Sequence, residues 1–235
     1  MIMINNILKY LILFIFITFS TFIESCKKDN KQTPHPDEKL IDIDGNQYNT
    51  VWIGEQLWMA ENLKVTRYPN GDTIPLITED SIWKALDDNN ISDAYCYYNN
   101  SEINKNKYGG LYTYAAAKNA CPTGWHLPNE KEWSKLINFI KDDGYNETEA
   151  LAIKSISGWL GTNNGYDIYG FTALPGGGRC FDGPFDFIKS YARWWSKTEY
   201  DENFAYGHGI NYDKTIIGNC ERPKSVGFSI RCIKD

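Results

Sequence analysis

The order of hydrophobic patterns along the chain constrains its fold most: short strand-like runs, one clean amphipathic helix, then strand-like runs again. Leu40-Ile-Asp-Ile43 closes on Asp44-Gly45, a hairpin dipeptide, and Gly54-Glu55 can join the runs 48–53 and 56–60. Residues 40–60 therefore read as a three-strand meander, and residues 79–107 as polar and irregular. An Ala-rich helix is expected over 111–118. Asn129 then offers an N-cap with Glu132 as its capping-box partner, and Trp133, Leu136, Ile137 and Ile140 fall on one helical face. Asp142-Asp143-Gly144 ends that helix, and a further short one is expected within 147–156. Residues 171–174, 191–196, 205–211 and 227–233 read as strands. In the last of these, Phe228, Ile230 and Cys232 share one face and Ser229 and Arg231 the other. With no alternation of strand and helix, this order predicts an α+β domain, loop-rich, with two or three helices packed on short antiparallel strands.

The first 26 residues read as an address. The apolar run from Tyr10 to Phe19 is ten residues long, half the roughly 20 that a membrane-spanning helix needs. It has the length of a signal-peptide core. Phe22-Ile-Glu-Ser-Cys26 resembles a bacterial lipoprotein cleavage site, where the cysteine thiol takes a diacylglycerol and several acyl chains together anchor stably. The reading is a signal peptide over 1–25, lipidation at Cys26, a charged tether over 26–39 and a folded domain over 40–235. It places the protein in the cell envelope, as an outer-membrane lipoprotein facing outward, with the membrane as a partner through the lipid.

Composition narrows the function classes. A net charge of −6 argues against a nucleic-acid partner, which needs a clustered basic face. The three histidines, His35, His126 and His208, lie far apart, which argues against a histidine-built metal site or triad. No cofactor and no metal is expected. Asp42, Asp44 and Asn46 have calcium-loop spacing, but Gly45 comes one position early and Ile53 stands where a Glu is needed, so a hairpin turn is the expectation. Gly176-Gly-Gly-Arg179 lacks the Lys-Ser/Thr of a phosphate loop and reads as close backbone packing. Asp182, Asp186, Asp201 and Glu202 read as a solvated face, His126 as packed, and His208 as a residue without an evident partner. Aromatics, at 15%, are the outlier. Most pack into a core, and the remainder suit a binding surface.

With Cys26 lipidated, five cysteines remain, an odd number in an oxidising compartment. A Cys121–Cys232 bridge would tie the last strand to the segment before the central helix. Cys180 and Cys220, both in the β-rich third, form the expected second pair. Cys96, among Tyr95, Tyr97 and Tyr98, reads as a buried inert thiol.

Eight ordered segments carry a family resemblance. They are Asp44-Gly-Asn46, Val51-Trp-Ile-Gly-Glu-Gln-Leu-Trp-Met-Ala-Glu-Asn-Leu-Lys64, Ala94-Tyr-Cys-Tyr-Tyr-Asn-Asn100, Tyr108-Gly-Gly-Leu-Tyr112, Cys121-Pro-Thr-Gly-Trp-His-Leu-Pro128, Gly170-Phe-Thr-Ala-Leu-Pro-Gly-Gly177, Trp194-Trp-Ser196 and Gly227-Phe-Ser-Ile-Arg-Cys232. Together they resemble the Fibrobacter succinogenes major paralogous domain of secreted proteins and lipoproteins of Bacteroidota and Fibrobacterota, over residues 40–235. The resemblance supports the Cys121–Cys232 pairing and makes Cys180 and Cys220 look like additions of this chain. More distantly, the stretch from Trp125 to Trp133 and the closing Gly-Phe-Ser-Ile-Arg are similar to the formylglycine-generating-enzyme branch of the C-type-lectin-like fold. That likeness implies a fold and carries no activity.

Two functions from different classes follow. The first is a non-catalytic surface module that binds a polysaccharide or a surface protein through aromatic loops, with Trp83, Tyr97, Tyr98, Tyr166 and Tyr169 as the candidate ligand-binding residues. The second is a secreted enzyme of unfamiliar type on a formylglycine-generating-enzyme-like fold. An exposed Cys96 in a cleft near His126 or His208 would favour it.

Overall fold

Gly45 and Gly54 take φ angles of +82° and +60°, and the chain reverses at both. The computed structural model that shows this describes residues 39–86 and 93–235, so the expected signal peptide, Cys26 and most of the tether lie outside the described residues. Around the first reversal, β1 (Leu40–Ile41) pairs with β2 (Gln47–Tyr48); around the second, β3 (Thr50–Ile53) pairs with β4 (Gln56–Met59). The expected single meander is therefore split. Asn49 lies at the break, its backbone N–H and side-chain amide both donating to Glu61 Oε1 while its carbonyl accepts from Ala60. That local pairing removes Asn49 from a continuous ladder.

Region 79–107, expected to be irregular, holds two short helices, α1 (Asp80–Lys84) and α2 (Glu102–Tyr108), with strand β5 (Tyr95–Cys96) between them. Then come β6 (Leu111–Tyr112), which pairs with β5, helix α3 (Tyr114–Ala117) and β7 (Trp125–His126). Helix α4 (Glu130–Ile140) begins as its sequence predicts. Asn129 Oδ1 accepts from the backbone of Lys131 and Glu132, and Glu132 returns a bond to the Asn129 N–H. A cap of this kind is worth about 1 kcal/mol. Trp133, Leu136 and Ile140 are its buried face, and Gly144, at φ +100°, ends the π-helical turn after it. Helix α5 (Glu149–Ile153) follows. Among the described residues there are thus five helices instead of two or three. The extra ones, α1 and α2, are one to two turns long and are each pinned by one buried ring, Trp83 and Tyr108, and so carry no periodic signature.

The final third contains β8 (Gly178–Arg179) paired with β9 (Phe185–Asp186), and a three-stranded antiparallel sheet of β10 (Tyr191–Glu199), β11 (Phe204–Asn211) and β12 (Gly218–Pro223). Strand β12, Gly-Asn-Cys-Glu-Arg-Pro, has no apolar alternation and escapes a sequence reading. The expected strand over 227–233 shrinks to β13 (Ile233–Lys234), preceded by single bridges at Phe228 and Ser229. Every residue from Lys224 to Ile233 is buried, so this segment threads the interior instead of lying on one sheet. β13 enters the middle of a four-stranded sheet of order β3-β4-β13-β7. The architecture is α+β.

Three devices lock the threaded segment. Cys121 and Cys232 form a disulfide across a sequence separation of 111. Arg231, 1% exposed, donates to the carbonyls of Met59, Phe171 and Thr172 and lies over the Phe171 ring, with no carboxylate among its hydrogen-bond partners among the described residues. Asn62 joins four parts of the chain. Its amide nitrogen donates to Tyr108 O at 2.8 Å and Ser229 Oγ at 3.2 Å; its oxygen accepts from Trp194 Nε1 at 2.9 Å and Arg231 Nε at 2.8 Å. All four hydrogen-bonding positions of that amide are filled.

Candidate functional site

The expected aromatic platform does not assemble. Trp83 is fully buried, and Tyr97 and Tyr98 are 5% and 6% exposed. Trp83 packs under the Arg179 guanidinium at 4.4 Å, Tyr97 meets the Tyr95 ring edge-on, and Tyr98 packs on Phe185. Their loop-like sequence context is real, but these loops cross the core. Of the five candidates only Tyr166 is well exposed. Tyr169 is half-buried between Phe139 and Tyr145 with its hydroxyl donating to Asp143.

The cysteines divide likewise. Cys180 and Cys220 are free thiols, which corrects the expected second bridge. Each has a local setting of its own: Cys180 Sγ lies 3.3 Å from Asp186 Oδ2, while Cys220 sits on β12 opposite Gly207. Cys96 is buried, as expected, and burial raises its thiol to about 12.

His208 has a partner after all. Its Nε2 lies 2.9 Å from Glu130 Oε1, and its ring stacks on Trp133 at 4.6 Å. Glu130 is partly buried, which raises its pKa, but the bonds from His208, Ser196 and Asn219 outweigh that and hold the carboxyl below its usual value. His126 bridges Glu132 Oε1 at 2.8 Å and Asp235 Oδ1 at 2.6 Å, joining the start of α4 to the end of the chain. Both histidines tie elements together, and neither has a nucleophile hydrogen-bonded to it among the described residues. Asp42 is spent internally on the N–H groups of Asp44 and Asn46, the Asn46 amide and the Tyr48 hydroxyl, as a hairpin turn requires. Among the described residues no cluster of three or more His, Cys, Asp or Glu side chains is arranged to hold a metal ion.

What the sequence reading missed is a cavity on one face of the β10-β11-β12 sheet. Side chains alternate across a strand, so Tyr191, Arg193, Gly209, Asn211, Gly218, Cys220 and their cross-strand partners share this face. Arg193 stands opposite Gly209, which stands opposite Gly218. Two glycines in one cross-strand row leave bare backbone as a floor. The Arg193 side chain leans over Gly209, its Cγ 3.5 Å from where a Cβ would sit. The resulting cavity is about 320 Å³, near the lower end of the roughly 300–1,000 Å³ of small-molecule sites, which suits a single ring. Tyr191 and Phe228 contribute rings, Asn211 an amide, and Arg193, Lys214 and Arg222 positive charge; among the described residues that line it there is no carboxylate. A second hollow of about 280 Å³ lies beside Asp42 and Arg67, but there the arginine is already paired with Asp44 at 2.6 Å.

The sequence signal that could have found the cavity is Phe204-Ala-Tyr-Gly-His-Gly-Ile-Asn211, where glycines recur every second residue on one strand face. Strand interiors disfavour glycine unless something approaches the backbone closely. No curated protein and no solved structure matches the chain. The family model of the Fibrobacter succinogenes major domain (Fib_succ_major) matches residues 51–234, spanning the four-stranded sheet, the disulfide and the cavity. The chain belongs to the Fibrobacter succinogenes major domain family.

Proposed function

We propose that this protein is a non-catalytic cell-envelope lipoprotein whose folded domain binds a glycan in the cavity of the β10-β11-β12 sheet. The carrying observation is that cavity: ring-sized, floored by Gly209 and Gly218, and edged by rings, an amide and cations. Sugar recognition needs a flat contact surface with hydrogen-bonding groups around it, and these residue types supply both. The alternative, an enzyme, is less well supported. Cys96 is buried, and Cys220 at the cavity has no histidine or carboxylate hydrogen-bonded to it among the described residues. The finer fold reading, a C-type-lectin-like domain, rests on the sequence likeness noted above. Anchoring at Cys26 on the outer membrane, facing outward, rests on the apolar run and the cleavage-site pattern, and mass spectrometry of the mature N-terminus tests it.

The binding test is a glycan array probed with the labelled full chain and with Gly218→Leu. A Cβ at position 218 meets nothing nearer than Gly209 O at 3.9 Å, so a leucine there fills the cavity without a clash at its root. The expected result is a glycan signal that the variant loses while its melting temperature is kept. No signal above background across plant, mucin and bacterial polysaccharides rejects the glycan reading. A signal that Gly218→Leu retains rejects the cavity as its site.

A further inference from the structure

Three arginines of this domain are held among aromatic rings, and two of them are chemically used up. Arg179 donates to the carbonyls of Gly183, Ile77 and Thr78 and to the Asp80 carboxylate, and it lies over Trp83 and Phe185. Arg231 donates to three carbonyls and Asn62. Arg193 is different. Its guanidinium is wedged between Tyr191 at 4.6 Å, Phe187 at 4.8 Å and Phe228 at 5.5 Å, with a side chain only 14% exposed. Yet its hydrogen bond among the described residues is a long one, to Asp186 Oδ1 at 3.4 Å. A guanidinium has five N–H donors in a rigid fork, so most of this fork is unspent. The rings fix the plane of the group beforehand, which lowers the entropy cost of a bond to its edge.

Arg193 is one of the residues that line the cavity. Lys214 and Arg222 add positive charge there; Lys214 is exposed, and the side-chain bond of Arg222 is a 3.4 Å contact to the Glu221 carbonyl. Asn211 Nδ2 donates to the Tyr191 hydroxyl, and both residues line the cavity. From this contrast between spent and unspent arginines we infer that Arg193 is the anion receptor of the cavity, and that its ligand is a carboxylate-bearing sugar ring, a uronate unit of an acidic polysaccharide. The inference rests on the glycan-binding reading and narrows it. A carboxylate is planar and matches the guanidinium fork through two parallel bonds. Asp186 takes part of the Arg193 charge and Asp213, 3.9 Å away, part of that of Lys214, so the site suits one negative charge better than the roughly −1.5 to −2 of a phosphate monoester.

The test is titration calorimetry of the full chain with oligogalacturonate and with its fully methyl-esterified form. These probes differ in charge and share their ring. We expect the acid to bind at least tenfold more tightly than the ester, Arg193→Gln to weaken the acid at least tenfold more than it weakens the ester, and Arg193→Lys to recover part of the loss. Gly218→Leu, which alters no charge, removes binding of both probes and covers the case in which Arg193→Gln disturbs the ring packing. Equal affinity for acid and ester overturns the inference, as does acid binding that survives in Arg193→Gln. A neutral glycan on the array whose signal depends on Gly218 and not on Arg193 overturns it too, while leaving the glycan reading intact. A blank array removes both.

Discussion

Replacing Asn62 with leucine, a side chain of similar shape, removes one amide and orphans four buried groups. Trp194 Nε1 and Arg231 Nε lose their acceptor, and Tyr108 O and Ser229 Oγ lose a donor. Asn62 is 8% exposed and its neighbours Trp194, Ser229 and Arg231 are 0%, 2% and 1% exposed, so water reaches the site poorly. A buried donor stripped of its partner costs about 1–3 kcal/mol, more when it is charged. Counting only the two donors, and the lower half of that range for each, the loss is about 3 kcal/mol. Domains of this size are stable by about 5–15 kcal/mol, so the variant should fold but melt well below the parent. Equilibrium unfolding in guanidinium chloride with the disulfide intact, followed by tryptophan fluorescence, measures the difference through the midpoint at constant slope. Asn163→Ala is the control: that amide is solvent-facing and bonds one carbonyl, Leu160 O, so its loss should stay within about 0.5 kcal/mol. A loss below about 1 kcal/mol for Asn62→Leu would refute the claim that this amide is the junction of the fold.

Opening the Cys121–Cys232 bridge by a double alanine substitution should cost about 5 kcal/mol on loop-entropy grounds, because it frees a sequence separation of 111; unchanged denaturation midpoints would contradict this. Glu130 has its folded pKa below the unfolded value, so its stabilising contribution is complete above the ordinary glutamate pKa and is lost as pH falls through the lowered one. Glu130→Gln should therefore flatten the acid side of the melting-temperature profile, and parallel acid limbs in the two proteins would sink the assignment. Native alkylation at pH 8 should label Cys220 and Cys180 ahead of Cys96, whose burial raises its thiol to about 12; rapid labelling of Cys96 in the folded protein would contradict its placement.

Where a residue's local chemistry decides its structure, the sequence was readable. The cap at Asn129, the reversals at Gly45 and Gly54 and the apolar face of α4 follow from side chains acting on their own neighbours. Tertiary partners were not readable in the same way. Trp83, Tyr97 and Tyr98 sit in loop-like segments of the sequence and in buried clusters in space, where their partners, Arg179, Tyr95 and Phe185, include residues nearly a hundred positions away. Arg231 alternates with apolar residues as a surface residue would, yet its charge is absorbed by three carbonyls that lie 59 to 172 positions away. The candidate site was hidden for a related reason. A floor of glycines has no side chains to attract notice, and β12, the strand that completes it, has no apolar alternation.

Strand β13 gives the order of assembly a direction. Its two residues, Ile233 and Lys234, lie between β4 and β7, two strands made some 110 to 175 positions earlier. A growing polypeptide emitted from its amino end must therefore hold β3, β4 and β7 with an open seam until position 233 arrives. Helix α4, capped by its own Asn129 and Glu132, is the element best able to form in the meantime, but the sheet cannot close. Nascent chains cut short before Cys232 should be recognised by quality-control proteases as unfinished, whatever fraction of the helices they contain.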